Sequence, residues 1–261
     1  MVIFRTMRKI RLLVEYDGTA YHGWQIQREV PTVQGILEDG VFRITGELSG
    51  VIGASRTDAG VHALGQVAVF RTASRMDTET MKRALNAVLP RDIRILEASV
   101  AGDAFRPRDD AVRKDYFYLV AHRGGSSAFL HRYTWQVPGQ LDMQSMLRAA
   151  QFLVGRQDFS SFMGAGSDVK DTVREVFSLN IEALESIDFM TAGLKGSFLK
   201  IGMTANGFLR HMVRNIVGTL VETGRGRIPH DEVREILESR DRRRAGQTAP
   251  ANALFLEKIR Y

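Results

Sequence analysis

Gly53-Ala54-Ser55-Arg56-Thr57-Asp58-Ala59-Gly60-Val61-His62-Ala63 separates two short apolar runs, and its reading decides the fold. Upstream, residues 49–52 have the length and apolar content of a buried strand. Downstream, residues 65–71 carry Val67, Val69 and Phe70 and read as another. The stretch between them is then a glycine-flanked connection holding an arginine, an aspartate and a histidine. Glycine lets backbone pass close to a ligand, and a loop fixed by two strands is a common place for catalytic groups. On its residues alone, Asp58 supports two readings. It is a catalytic carboxylate, or it is a turn residue that bonds its own backbone ahead of Ala-Gly.

Working outward, Ile10, Leu12, Val14 and Tyr16 recur at period two, which is a strand pattern, and Asp17-Gly18-Thr19 marks a turn. Trp24 lies in an aromatic and polar stretch without a period and reads as a loop residue plugging the core. Thr32 is a helix N-cap after Pro31, followed by Val33, Ile36, Leu37, Val41 and Ile44 at helical spacing. A second helix spans residues 77–89, with Met81, Leu85, Val88 and Leu89 on one face and Pro90 closing it. Ile93, Ile95 and Ala98 make a further strand. The order strand, helix, strand, strand, helix, strand is the split arrangement called ferredoxin-like.

The second half reads similarly. Tyr116, Tyr118 and Val120 alternate along residues 114–121, and Asp142 caps a helix running to Val154. Strands at 173–183 and 198–204 form a hairpin around Gly193 and Gly196. Leu209, Met212, Val213, Ile216, Val217 and Leu220 give a helical apolar stripe. Arg210 and Arg214 stand four apart on one edge of that helix. Such a pair repels by roughly 0.2–0.5 kcal/mol unless an anion lies beside it, and phosphate and a carboxylate are both candidates. A helix at 231–238 leads into Asp241-Arg242-Arg243-Arg244, which reads as an exposed helix end or an RNA clamp. The expected fold is therefore α+β. It has two ferredoxin-like (RRM-like) halves, residues 1–108 and 109–261, with mainly antiparallel sheets side by side forming a central catalytic cleft.

The 261 residues suffice for one large domain or two small ones, and 44% hydrophobic with 25% charged is ordinary for a soluble globular protein. No run of about 18 apolar residues exists, so no membrane span is expected, and residues 1–11 do not read as a signal peptide. The absence of cysteine excludes disulfides, thiolate nucleophiles and cysteine-ligated zinc, and fits a reducing, cytoplasmic setting. The six histidines show no metal-ligand spacing, so no metal is expected. A net charge of +6 favours polyanionic partners such as nucleic acid.

Several motifs in combination resemble the tRNA pseudouridine synthase A family. They are Tyr16-Asp17-Gly18-Thr19-x-Tyr21-x-Gly23-Trp24-Gln25-x-Gln27, then Arg56-Thr57-Asp58-Ala59-Gly60-Val61-His62-Ala63, then His211-Met212-Val213-Arg214-Asn215, and the closing Thr248–Leu256 stretch, where Ala253 replaces an expected glycine. The resemblance runs from about residue 8 to 260. It implies isomerisation of uridine to pseudouridine in tRNA, at positions 38, 39 and 40 of the anticodon stem-loop, without cofactor or metal, by a homodimer. It implies that Asp58 is the catalytic aspartate, that Arg214 pairs with it, and that Tyr116 lies over the target base. The segment Phe105, Arg106, Pro107, Arg108 and Asp109 corresponds to one that contacts tRNA, with Arg106 and Pro107 departing from the family's Phe-His-Ala-Arg. Gly166, Ser167, Asp168, Val169 and Lys170 are further expected RNA contacts, as is Arg210. Arg56, two residues from Asp58, is assigned to substrate binding: it holds a phosphate or helps expel the flanking base, since a paired uridine must leave its stack.

Two other classes fit less of the chain. A non-catalytic RNA-binding protein with two RRM-like halves would carry aromatic RNP patterns, which are absent. A hydrolase using Asp58 and His62 would need a third orienting group or a metal.

Overall fold

The computed structural model describes residues 6–123, 127–166 and 169–261. The chain divides into two compact units, Met1–Val112 with Leu256–Tyr261, and Arg113–Phe255. The C-terminal residues thus rejoin the first unit, a return that the linear order of elements does not disclose.

The first unit contains β1 (Arg8–Tyr16), α1 (Val33–Thr45), β2 (Ile52–Gly53), β3 (His62–Thr72), α2 (Thr78–Val88) and β4 (Ile93–Ala101). β1 lies antiparallel between β3 and β4, with Leu12 opposite Ala68 on one side and Ala98 on the other. Its period-two residues Ile10, Leu12 and Val14 are fully buried, and the helices add Val33, Leu37, Val41, Met81 and Leu85 to the core. Each such side chain contributes about 1.5–3 kcal/mol by leaving water. Thr32 caps α1 by accepting from the Gly35 N–H at 3.3 Å, and Asp77 caps α2 by accepting from Thr80 at 2.8 Å. The run at 49–52 is not a buried strand. Val51 is buried, but its N–H donates to Glu38 Oε1 at 2.9 Å, so the ladder starts only at Ile52, opposite Val69. β3 in turn takes in His62 and Ala63, which the apolar pattern left in the connection.

The second unit contains β5 (Arg113–His122), β6 (Trp135–Val137), α3 (Met143–Gln151), β7 (Gly155–Asp158), β8 (Val173–Phe189), β9 (Ala192–Ala205), α4 (Met212–Gly224) and α5 (Glu232–Ser239). The strands run β5-β9-β8-β7, all antiparallel, with β6 added parallel to β5. β6 and β7 are extra to the order read from sequence. Tyr118, Met146, Ala149, Ile216, Val217 and Leu220 are fully buried. The hairpin turns at Met190, which takes φ +56°, and Phe189 pairs with Ala192. It does not turn around Gly193 and Gly196, which lie inside β9. Beyond Ile181 the apolar residues of β8, Leu184, Ile187 and Phe189, are only partly buried, and a register irregularity between Leu184 and Ser186 breaks their period. β10 (Leu254–Arg260) closes the chain and from Leu256 belongs to the first unit, beside β3. The chain is α+β with mainly antiparallel sheets. Among the described residues, no helix is long and apolar enough to cross a membrane.

Asp158 ties the end of β7 to the start of β8. It accepts from the Ser160 N–H at 3.0 Å, from the Ser160 hydroxyl and from Thr172 Oγ1 at 2.7 Å, and Arg240 Nε lies 3.1 Å from its second oxygen. Burial pushes this carboxyl up, but the donors outweigh it and hold it below the ordinary value. A depressed folded-state pKa gives stability that is present above the unfolded value, near ~3.9, and lost as pH falls through the folded one. Asp158→Asn is therefore expected to lower Tm at neutral pH by about 2–4 °C, the size of a ~1 kcal/mol loss. The gap from wild type closes on acidification, which thermal melts across the acid range would check.

Candidate active site

Asp58 stands at the head of a tight turn. Its carbonyl accepts from the Val61 N–H at 3.1 Å, and Gly60 takes φ +80°, which the third position of such a turn favours in glycine. The turn is clamped by the conformationally permissive segment before α1. Gly23, at φ +88°, passes so close that a Cβ there would stand 2.6 Å from Thr57 O. Trp24, buried as expected, donates its backbone N–H to Thr57 O at 3.0 Å. The Thr57 hydroxyl bonds Tyr16 Oη at 2.8 Å, and Gln66, fully buried, holds Ser55 through both its amide atoms at 3.1 and 2.7 Å. The turn reading of Asp58 holds through its backbone carbonyl, and the residue is half-buried.

The His62 imidazole is buried, with Nδ1 3.0 Å from the Gly18 N and 3.1 Å from Asp17 Oδ1. His62 thus anchors the turn after β1 to the start of β3.

Arg56 is exposed on the same connection. In the segment before β5, Phe105 packs edge-on against Tyr261 at 5.0 Å, and Pro107 is buried with its carbonyl accepting from Tyr261 Oη at 2.8 Å. Lys9 donates to Phe105 O at 2.8 Å. Arg106, Arg108 and Asp109 are the exposed side chains this packing leaves at the surface.

In the second unit, Tyr116 on β5 is 5% exposed and meets the Phe208 ring edge-on at 5.1 Å. Tyr118 is core, its hydroxyl donating to Pro250 O at 2.8 Å. Burial pushes that hydroxyl up, and the positive charge of Arg214 pulls against the shift. Arg214 lies in the first turn of α4 and donates from Nε to Ala249 O at 2.7 Å, while its own carbonyl accepts from the Ala249 N–H at 3.1 Å. Arg210 is not on that helix. His211 takes φ +59°, so helical geometry starts only at Met212. Arg210 donates instead to Ala165 O and Gly166 O at 3.1 and 3.2 Å, and Val169 and Lys170 are exposed. Ser167 and Asp168 lie outside the described residues.

The basic run directly follows α5, with Arg243 and Arg244 exposed as a helix end and Arg242 partly buried. Arg243 is paired with Asp241 at 2.8 Å and Arg244 with Glu235 at 3.2 Å, while Arg242 turns inward to Asn215 and Thr248. The sequence reading did not single out Asn215. Its signal was an asparagine in the first turn of an apolar helix, where it is a poor helix former unless its amide is used. Among the described residues, no group of three or more His, Cys, Asp or Glu is placed to hold a metal ion.

A family model described as tRNA pseudouridine synthase matches residues 12–108 and 149–261, which include Arg56, Asp58 and Arg214, and the chain belongs to that family. Tyr116 falls between the two matched segments. The tRNA pseudouridine synthase A of Thermoanaerobacter sp. (strain X514) is 45% identical over 255 residues, covering 98% of this chain and 100% of that protein. The protein of the same name from Thermodesulfovibrio yellowstonii is 41% identical with the same coverage, and that from Myxococcus xanthus is 40% identical over 98% of this chain and 92% of its own. The archaeal box H/ACA sRNP Nop10-Cbf5 complex superposes with a TM-score of 0.31 at 16% identity, over 81% of this chain and 44% of that one, too weak a likeness to support any argument. The chain is thus an enzyme that isomerises uridine to pseudouridine in tRNA.

Proposed function

We propose that Asp58 is the catalytic carboxylate, that the modified uridines lie at positions 38, 39 and 40 of the anticodon stem-loop, and that the working enzyme is a cytoplasmic homodimer. In this reading the two units are ferredoxin-like halves. The observation that carries the assignment of Asp58 is its mount: a half-buried carboxylate on a turn whose backbone is held by Trp24, Gly23, Tyr16 and Gln66.

The reaction breaks the N1–C1′ bond, turns the uracil and joins C5 to C1′. The C5 proton leaves and N1 regains one, so no electron acceptor or group donor is consumed. An ionised carboxylate serves as the nucleophile at C1′ or as the base that takes a proton from the sugar. Arg214 neutralises and aims that carboxylate. Tyr116 stacks on the extruded uracil, Arg56 holds the vacated backbone, and Arg106, Arg108, Lys170 and Arg210 meet phosphates elsewhere on the tRNA.

The test is incubation with a tRNA transcript lacking all modification, followed by mapping of pseudouridine. Product confined to positions 38–40 is the expected result. Product at other positions would overturn the assigned target, and binding without any product would favour the non-catalytic alternative.

A further inference from the structure

We propose that Arg242 is a positioning residue for Arg214: it fixes the segment whose Ala249 carbonyl aims the Arg214 side chain. The inference rests on the reading of Arg214 as the partner of Asp58.

The connection runs through a chain of hydrogen bonds. Arg242 Nη2 donates to Asn215 Oδ1 and to Thr248 Oγ1, both at 3.0 Å, and Nη1 donates to Ala245 O at 3.2 Å. The Thr248 hydroxyl donates in turn to Asn215 Oδ1 at 2.7 Å. Asn215 is fully buried, and its Nδ2 donates to Phe162 O at 2.7 Å, so the amide has one orientation and its oxygen faces the guanidinium. Residues 245–249 are thereby pressed along α4. Gly246 N donates to Thr219 Oγ1 at 2.9 Å, and a Cβ on Gly218 would come within 1.7 Å of Gln247 O. The segment ends at Ala249, which exchanges both its backbone groups with Arg214 at 3.1 and 2.7 Å.

The chemistry of Arg242 argues for this task over simple stability. The acceptors just named are neutral oxygens, and burial pushes the guanidinium down. A cation removed from water against neutral dipoles costs more than an apolar side chain filling the same space. What only the guanidinium supplies is a planar fork of donors that joins two segments in one geometry. One arm of that fork, Nη2, meets both Asn215, which shares the helix turn with Arg214, and Thr248, the residue before Ala249, while the other, Nη1, holds Ala245 O.

The experiment compares Arg242→Met, Thr248→Val and Arg214→Met with wild type, by steady-state pseudouridine formation on tRNA and by thermal melts. Displacing Arg214 by about 1 Å is expected to lower kcat for Arg242→Met roughly a hundred-fold, with KM for tRNA unchanged within about two-fold. Thr248→Val, which removes one acceptor and leaves the charge, is expected to lower kcat several-fold in the same sense. A folded Arg242→Met with wild-type kcat, or a loss confined to KM, overturns the proposal. If Arg242→Met does not fold, Thr248→Val decides, and an unchanged kcat overturns it. Wild-type kcat in Arg214→Met overturns the reading of Arg214 and this inference with it. An inactive Arg214→Met beside a fully active Arg242→Met overturns the inference alone.

Discussion

Asp58→Asn is expected to lower pseudouridine formation at least about a thousand-fold while leaving tRNA affinity within a few-fold of wild type. The size follows from removing the only group in the account that makes or breaks a bond, since loss of a nucleophile or base costs roughly 10²–10⁴ and often more. The preserved affinity follows from geometry. The turn is held through the backbone of Asp58 and its neighbours, by Val61, Trp24 and Gly23, and none of those contacts uses the carboxylate. Asparagine is isosteric and keeps them, so the fold should not change. Turnover measured beside a filter-binding titration checks both halves.

Arg214→Met should cost the next most, about a hundred- to a thousand-fold in kcat, the range seen when one preorganised electrostatic partner is removed. Arg214→Lys should recover little of it. The guanidinium is a planar fork whose Nε donates to Ala249 O at 2.7 Å, whereas an ammonium is a single point charge without that fork. The two sites should also be non-additive. If Arg214 acts through the carboxylate, Asp58→Asn/Arg214→Met will be no slower than Asp58→Asn alone, and kcat values from the four proteins of that cycle check it.

Much of this was legible in the residues, for physical reasons that can be named. β1 and the core faces of α1 and α2 are buried on one side, so the sequence carries their period, and Thr32 and Asp142 announce their helices by capping them. What was not legible depends on space rather than pattern. The two-residue β2 has no period to detect. In the outer half of the β8–β9 hairpin the partly buried Leu184, Ile187 and Phe189 fall out of period across a register irregularity, so the pattern does not mark its length. His211 at φ +59° has no local signal, and its backbone angle is what separates Arg210 from the helix that bears Arg214. The inward turn of Arg242 was hidden for a related reason: in sequence it is one of three adjacent arginines, and only the partners at 215 and 248 distinguish it.

The motif around Asp58 was legible as a resemblance, and its mount was not. Gly18, Gly23 and Trp24 belong to a different motif from the loop they hold, and the contacts of Gly23 and Trp24 with Thr57 explain why the two motifs occur together.

The most direct measurement is tritium release from tRNA carrying [5-³H]uridine, with enzyme in excess so that binding differences drop out. Forming the C5–C1′ bond expels the label, so wild-type protein is predicted to release it from each target uridine in a single turnover, and Asp58→Asn to release none above background. Release by Asp58→Asn at a rate near that of wild type would contradict the account.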